Sequence, residues 1–490
     1  MNNPPPPEVN NNLNLPAPPP EVNNNLNLPA PPPEDDEEYL NEEREELRKL
    51  ETRYGPIQGA YYYTTVGIPQ IEEKKQLILS LYLSKFNSST QPATNNFIRF
   101  ITKTRTPPYT EEKITKYLED HPEVDINGYY TARTPSSLTG LTPLMALFES
   151  YHPSFDGIIT ALLKDERLNI NKQSLFHKQP LLYFYTGTSL LMDNIFYRNI
   201  LKREDLNINL QNIYKDTILH LLGKEKRPFY KFFPPIFQEQ KEKININLQN
   251  VNGETALHTL VKNYYRYEDG QIIGLLLQIP SIDVNIKNNE QRTALQQSIL
   301  SLQFDNGRTF DPIIKLFNAP GANLNSQDKE LKTVLHYIVE YGYIERGTML
   351  IQYFVERLGH LFSSIDADAV DIKGETAYYK GLITMQRYIK FTLDKSIRVA
   401  DKKKSIKSYL DGVYDLFTRL DVNPNLTPYN VKNNITEIRK LEEQIETILP
   451  ATDKWRKQLL SKYRLAYDNK RGTEMFKVRQ LKNEFKLENK

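Results

Sequence analysis

The chain has 490 residues, 39% of them hydrophobic and 25% charged, which is ordinary for a folded protein and long enough for several domains or one repeat array. The 63 basic and 61 acidic residues give a net charge of +2, so the molecule as a whole lacks the strong positive field that favours nucleic acid. Without cysteine there is no disulfide, no thiolate metal site and no cysteine-nucleophile enzyme.

The N-terminal segment contains a tandem duplication. Residues 5–17 read PPPEVNNNLNLPA, and residues 18–30 repeat them residue for residue. Proline triplets favour extended polyproline II and asparagine runs cannot build a core, so we predict a disordered, acidic arm over residues 1–53. It is either a ligand for proline-recognising domains or a spacer, the interpretation we favour. Its charged residues 43–51 suit a solvated helix.

The chain start has neither a basic n-region nor an apolar run, and no stretch of eighteen apolar residues occurs. We therefore expect a protein without a transmembrane segment, located in the cytoplasm or secreted into a host cell by a dedicated system without a general signal peptide. Residues 54–123 are predicted to form an N-terminal helical cap, with helices at 71–80, 95–102 and 110–119.

The central segment, residues 124–385, is organised by an internal repeat. Residues 206–222 (LNINLQNIYKDTILHLL) align with residues 244–260 (ININLQNVNGETALHTL), and the same frame recurs at residues 284–299 and 324–339. Its anchors Thr217, Thr255, Thr293 and Thr333 are spaced by 38, 38 and 40 residues. Weaker copies place Thr142, Gln179 and Thr376 in the same slot, which makes seven units. The first copy needs a seven-residue insertion in its turn.

Each anchor is predicted to cap a first helix, with the threonine hydroxyl accepting from an amide of the first turn. A leucine two or three positions further on gives this helix an apolar stripe, and a second helix follows, as in residues 156–164 and 311–317. A single helix pair of this size cannot bury its apolar face alone, so neighbouring pairs must stack into a continuous core.

These phrases resemble the ankyrin repeat. The resemblance is best seen in GETALH, residues 253–258, and GANLN, residues 321–325, and it extends over residues 94–378. It implies an ankyrin-type helical solenoid. With the segments on either side, we predict a mainly α fold in which this solenoid is joined to a C-terminal helical bundle and a disordered N-terminal arm. The period exceeds the ankyrin 33 residues, and this divergence is similar to that of ankyrin proteins of intracellular bacteria.

His220, His258 and His336 occupy one slot of three separate units. A metal triad is one interpretation, but the resemblance implies imidazoles bonded to the turn threonine and nearby backbone. The structural anchors predicted for the repeats are therefore Thr217, His220, Thr255, His258, Thr293, Thr333 and His336. The candidate partner contacts are solvent-facing tip residues, namely Gln211, Tyr214, Asn252, Glu290, Arg292, Lys329 and Glu330.

Residues 386–490 form a basic C-terminal region, predicted to be a helical bundle with helices at 404–420, 433–449 and 452–467. Residues 387–490 contain 24 basic and 14 acidic residues, which suits contact with nucleic acid, anionic lipid or an acidic protein. A solvated face is the simpler interpretation. The acidic arm is a further candidate partner for this region within the chain.

No nucleotide-binding, metalloprotease, hydrolase or kinase motif occurs, and we predict no enzyme activity, cofactor or metal. The sequence predicts a scaffold that binds a partner protein through its repeats, and the resemblance suggests an effector of an intracellular bacterium acting on host proteins. The alternative is nucleic-acid or anionic-membrane binding by the basic C-terminal helices, with the repeats as a targeting module. The partner and the oligomeric state are left open.

Overall fold

The structure is a computed structural model that describes residues 36–54, 68–84, 90–103, 110–131, 136–150, 152, 155–185, 200–224, 233–262, 267–301, 310–341, 351, 354–356 and 358–394, with single positions between 404 and 444. These residues are mainly helical. The one β pairing within them is an isolated antiparallel bridge between Val370 and Thr376.

The helices of the described residues are, in chain order, α1 (Asp36–Tyr54), α2 (Ile68–Ser84), α3 (Thr90–Lys103), α4 (Glu111–Asp120), α5 (Pro143–Glu149), α6 (Asp156–Lys164), α7 (Leu181–Tyr185), α8 (Ile218–Lys224), α9 (Phe233–Gln240), α10 (Ala256–Lys262), α11 (Tyr267–Leu276), α12 (Ala294–Ser301), α13 (Asp311–Phe317), α14 (Val334–Tyr341) and α15 (Ala377–Asp394). A short 3₁₀ helix, Gly359–Ser364, precedes α15.

The helices form two stacked rows. In the inner row, α3, α5, α7, α8, α10, α12, α14 and α15 each contact the next. In the outer row, α4 contacts α6, α9 contacts α11, and α11 contacts α13. The fold is therefore an ankyrin-type helical solenoid, as predicted, in which each unit adds one layer to a continuous core.

The apolar stripe of the first helices faces this core. The leucines that the repeat frame places in that stripe are at most 5% exposed; they are Leu144, Leu182, Leu219, Leu257, Leu295 and Leu335. One cluster of buried apolar residues runs from Phe97 in α3 to Leu420 beyond α15. The units thus depend on their neighbours for burial, because no single pair encloses its own core.

Asparagine side chains join each unit to the next outside this core. Asn247 Nδ2 donates to the carbonyl oxygen of Ser281 at 2.6 Å, and Asn247 Oδ1 accepts from the amide of Asp283 at 2.9 Å. Equivalent pairs of bonds, all 2.6–2.9 Å long, are made by Asn127, Asn171, Asn209, Asn285 and Asn325. We call these six side chains the asparagine ladder. It explains why asparagine recurs at this slot, since a carboxamide both donates and accepts.

The asparagine ladder ends at unit 7, where the residue at this slot changes. In the last unit the slot is occupied by Asp368, whose carboxylate carries no N–H group to donate to a further carbonyl. The first asparagine of each phrase has a local role, because Asn245 Oδ1 accepts from the amide of Asn247 within the same turn. Aspartate suffices for that role, and Asp283 and Asp366 perform it in later units.

Helix α1 overlaps the predicted N-terminal arm. Residues 36–53 lie in α1, and Leu40, Arg44 and Leu47 are buried on one face of it, so this helix is not the solvated one expected. Charged residues outnumber apolar residues in this segment, so its composition did not reveal the narrow apolar stripe along one face of the helix. The predicted boundary at residue 53 falls inside α1, while residues 1–35 lie outside the described residues.

The predicted cap helices lie within α2, α3 and α4. Only α3 and α4 extend the two rows and cover the end of the stack. The insertion predicted in the first turn lies between Tyr130 and Leu141. The amide of Tyr130 donates to the carbonyl oxygen of Leu141, and in unit 3 the equivalent bond joins Asn212 to Asp216, which are only four residues apart.

The C-terminal region is continuous with the repeats. The predicted boundary at residue 386 falls inside α15. Ile406, Leu410, Val413 and Leu416 are at most 1% exposed and belong to the same core cluster as the repeats, so this part of the predicted bundle shares the core of the solenoid. The predicted helix at 452–467 lies outside the described residues. Within the described ranges, no helix has both the length and the apolar run that a bilayer crossing requires.

The ladder predicts that two neighbouring Asn→Asp substitutions differ in their effect on stability. We expect Asn247→Asp to lower the free energy of unfolding by about 1 kcal/mol, because it removes the donor to Ser281 and places a carboxylate beside that carbonyl. Asn245→Asp is the matched control, since it keeps the acceptor and reproduces Asp283, and it should change little. Urea unfolding followed by circular dichroism measures both. Equal losses would contradict the ladder.

Candidate functional site

The candidate site is the row of turn tips that precede the first helices. In unit 3, Asn212 Oδ1 accepts from the amides of Tyr214 and Asp216, both at 2.9 Å. Asn250, Asn288, Asp328 and Asp371 make the same two bonds in later units. Each tip is therefore held by one buried side chain that accepts two backbone amides.

In units 3–6 the fourth residue of the tip has a left-handed backbone. Its φ is +56° at Lys215, +69° at Gly253, +57° at Gln291 and +58° at Leu331. At Gly253 a side chain is excluded twice, because a Cβ atom there would also lie 2.6 Å from Asn289 Oδ1 of the next tip. At the other positions the backbone is strained, and the side chain is directed to solvent.

Successive tips are hydrogen-bonded to each other through the backbone. The amide of Val251 donates to the carbonyl oxygen of Tyr214 at 3.0 Å, and the amide of Asn289 donates to that of Asn252 at 2.9 Å. Ile213, Lys329 and Ile372 continue the series. The tips therefore form a continuous, cross-linked surface, here called the tip face.

The structure exposes four of the seven candidate contact residues on this face. Asn252, Glu290, Lys329 and Glu330 are exposed in the tips of units 4, 5 and 6. Lys329 Nζ lies 3.2 Å from Glu290 Oε1 between neighbouring tips, and Glu330 pairs with Lys332 at 2.8 Å. The Lys329–Glu290 pair is solvated, so it contributes little to stability and can exchange for contacts with a partner, whereas Lys332 is largely buried and also pairs with Glu340 at 3.0 Å.

The other three candidates are engaged inside the molecule. Gln211 Nε2 donates to the carbonyl oxygens of Lys215 and Gln249 at 2.6 and 3.1 Å, so it braces two adjacent tips. The Tyr214 hydroxyl donates to Glu51 of α1. Arg292 Nε donates to the Tyr337 hydroxyl at 2.8 Å. Their amphipathic or charged character suggested contacts with a partner protein. In the structure their polar groups instead bond to other residues of the same chain.

Sequence reasoning missed two apolar members of the face. Leu331 is 43% exposed and Ile372 is 66% exposed, in the tips of units 6 and 7. The amide of Ile372 donates to the carbonyl oxygen of Glu330 at 2.8 Å, so the two tips that carry these residues are adjacent. The repeat frame could have identified them, since Ile372 aligns with Lys329, which was selected for its charge.

The anchor histidines cap the first helices. The amide of Thr255 donates to His258 Nδ1 at 3.2 Å, and Thr255 Oγ1 lies 2.9 Å from the same nitrogen. His258 Nε2 lies 3.0 Å from the carbonyl oxygen of Arg292 in the next unit. Since a carbonyl only accepts, the proton is on Nε2 and the ring is neutral. His220 with Thr217 and His336 with Thr333 have the same geometry.

Two units depart from this cap. In unit 5, Gln296 Oε1 accepts from the amide of Thr293 at 2.9 Å, and Nε2 donates to the carbonyl oxygen of Lys332 at 2.9 Å, so glutamine does the work of histidine. In unit 2 the predicted anchor Gln179 is displaced by one residue. Its amide is bonded to Ser174 Oγ, as that of Asp216 is to Asn212, which leaves Pro180 in the cap slot before α7.

Burial lowers the pKa of His258 and of His336, and the backbone carbonyls that accept from them offset this only in part. The polar side chains of the ladder, the tips and the caps thus all have structural roles, because they fix the position of the tip face. Across the described ranges, no three His, Asp or Glu side chains are grouped so that they could hold a metal ion.

The lowered histidine pKa values predict that acid weakens the stack. In the unfolded chain these histidines bind protons near pH 6.5, whereas in the folded chain they bind them only at lower pH. The free energy of unfolding is therefore highest above about pH 6.5 and falls as the pH drops. The double variant His258→Gln/His336→Gln, which copies Gln296, should keep its stability at pH 7.5 and lose less between pH 6.5 and 5. Thermal unfolding midpoints measure this.

His258→Ala, which leaves the cap amide and a carbonyl unpaired, should cost about 1–3 kcal/mol at pH 7.5. An undiminished acid loss in the double variant would show that these imidazoles are not its source.

Comparison with known proteins shows a structural similarity. No protein-family model and no curated protein matches the sequence. Among solved structures, the chain is similar to the ankyrin repeat domain of Bcl-3, a member of the IkappaB protein family, with 14% sequence identity and a TM-score of 0.32. The match covers 58% of this chain and 91% of the Bcl-3 chain.

Proposed function

We propose that the chain is a scaffold that binds a partner protein through the tip face of units 4–7. The observation that carries this proposal is a row of exposed side chains on mutually hydrogen-bonded turns, namely Asn252, Asn289, Glu290, Lys329, Glu330, Leu331, Ile372 and Lys373. Turns fixed in this way lose little conformational entropy when a partner binds, which favours affinity.

The composition of this surface suits a protein partner. Leu331 and Ile372 provide an apolar centre at the end of the row. Around them, Lys329, Glu330 and Lys373 present both signs of charge. Protein interfaces combine buried apolar anchors with a polar rim that sets specificity.

The finer functional proposals come from the ankyrin resemblance and from charge. An effector of an intracellular bacterium acting on host proteins stays a prediction, as does its export into a host cell. Nucleic-acid or anionic-lipid binding by the C-terminal region also stays a prediction, and most of the basic residues behind it lie outside the described residues.

The test is affinity capture with the full chain as bait and its double variant Leu331→Asp/Ile372→Asp as comparison. Both positions are exposed, so the solenoid should stay folded. The amount of partner captured should fall about ten-fold or more. The matched control is Lys241→Ala/Glu242→Ala, an exposed pair beyond α9 that should retain the partner. A partner that survives the tip substitutions and is lost in the control variant would contradict the proposal.

A further inference from the structure

The hairpin formed by α1 and α2 lies beside the solenoid and does not close its end. The end of the stack is covered by α3 and α4, whose Phe97, Ile101 and Ile114 belong to the main core. The hairpin has a separate apolar cluster, in which Leu40, Leu47, Ile71, Ile78, Leu79 and Tyr82 pack with Tyr129, Leu175 and Phe176 from the tips of units 1 and 2. It therefore occupies the tip face, the surface that the later units leave open.

The apolar contacts show what this face accepts. Leu40 and Leu47, seven residues apart on α1, share the cluster with Leu175 and Phe176. Leu175, whose amide donates to the preceding tip as that of Ile372 does, is buried, whereas Ile372 is 66% exposed. The difference in exposure follows from whether a helix lies over the tip.

The polar contacts orient α1 along the row of tips. Arg44 Nε donates to the carbonyl oxygen of Leu175 at 2.8 Å. Glu51 Oε1 lies 2.8 Å from His177 Nε2, and the other oxygen of Glu51 accepts from the Tyr214 hydroxyl. Burial acts to raise the pKa of Glu51, but these two groups and Lys75 hold it below its usual value. The carboxylate at this end of α1 therefore meets a matching donor set in the tips of units 2 and 3.

The joint between hairpin and repeats is loosely packed. A cavity of about 580 Å³ on one side is lined by Glu72 and Lys75 of α2 and by Phe176 and Phe184 of unit 2. A second cavity, of about 380 Å³, lies between Arg44 of α1 and the turns of unit 2. Both are open to solvent, so packing does not close the joint on these two sides, and the hairpin should open at a lower free energy than the solenoid unfolds.

From these contacts we infer that the tip face of units 1–3 is a helix-binding site, which the hairpin fills as a reversible self-ligand and a partner's acidic amphipathic helix takes in its place. The partner helix carries two aliphatic residues seven positions apart, an arginine between them for the Leu175 carbonyl, and a glutamate one turn beyond for His177 and Tyr214. Displacement opens the whole tip face, from unit 1 to unit 7.

This inference extends the proposed docking function to the covered units. It needs no external partner for its test, because α1 itself supplies a probe. A failure of the proposed function at Leu331 and Ile372 and a failure here are therefore separate results.

The probe is a fluorescein-labelled peptide of residues 36–54. It is titrated into the full chain and into the full-length variant Leu40→Asp/Leu47→Asp, which unseats α1 without touching the main core. We expect the variant to bind the peptide at least about ten-fold tighter than the unmodified chain, by fluorescence anisotropy. Equal binding to both, or no binding to the unseated variant, would overturn the inference.

Matched controls locate the binding. Adding Phe176→Asp to the unseated variant should abolish peptide binding, and adding Ile372→Asp should not. A peptide with Leu47→Asp should fail, whereas one with the exposed Glu46→Ala should bind. Binding that survives Phe176→Asp would place the peptide elsewhere and overturn the assignment.

Hydrogen exchange on the unmodified chain gives a result even if a variant does not fold. We expect the amides of α1 and α2 to exchange at least about ten-fold faster than those of α10, since they open locally. Exchange as slow as that of α10 would show a permanent cap and overturn the inference.

Discussion

A side-chain carboxamide that bonds the backbone of the next unit is the contact on which the stack depends outside its core. Asn247 donates to one backbone group of the following turn and accepts from another, and five further asparagines do the same. Apolar burial alone permits helices to slide, because it has no direction. Two directional bonds per junction fix the register of each unit, and this register aligns the tips.

The caps extend the same logic to the first helices. A neutral imidazole, or glutamine in unit 5, accepts the amide of the cap residue and donates to the carbonyl of the next unit. Helix start and unit junction are thus fixed by one side chain. Because the tip, the cap and the ladder all connect neighbouring units, the exposed side chains of the tip face are held at nearly constant spacing, which suits docking to an extended partner surface.

The sequence predicts what recurs and misses what occurs once. Thr255 and His258 have equivalents in other units, so alignment of the chain with itself identifies them as repeat anchors, while the role of the histidine came from the ankyrin resemblance and that of Asn247 from the structure. The docking of α1 has no internal parallel, and its acidic composition suggested a solvated arm, while Leu40 and Leu47 decide its position. Gln211 was selected as a surface contact because a single sequence does not distinguish a side chain that braces neighbouring tips from one that faces a partner.

The central claim, that the turns are cross-linked into one tip face, is tested most directly by amide exchange at the tips themselves. The account predicts slow exchange for Ile213, Val251, Asn289, Lys329 and Ile372, because each amide donates to the preceding tip although it lies in a surface turn. Residue-resolved exchange by nuclear magnetic resonance measures this. Exchange of these five amides at the rate of an unprotected turn would contradict it.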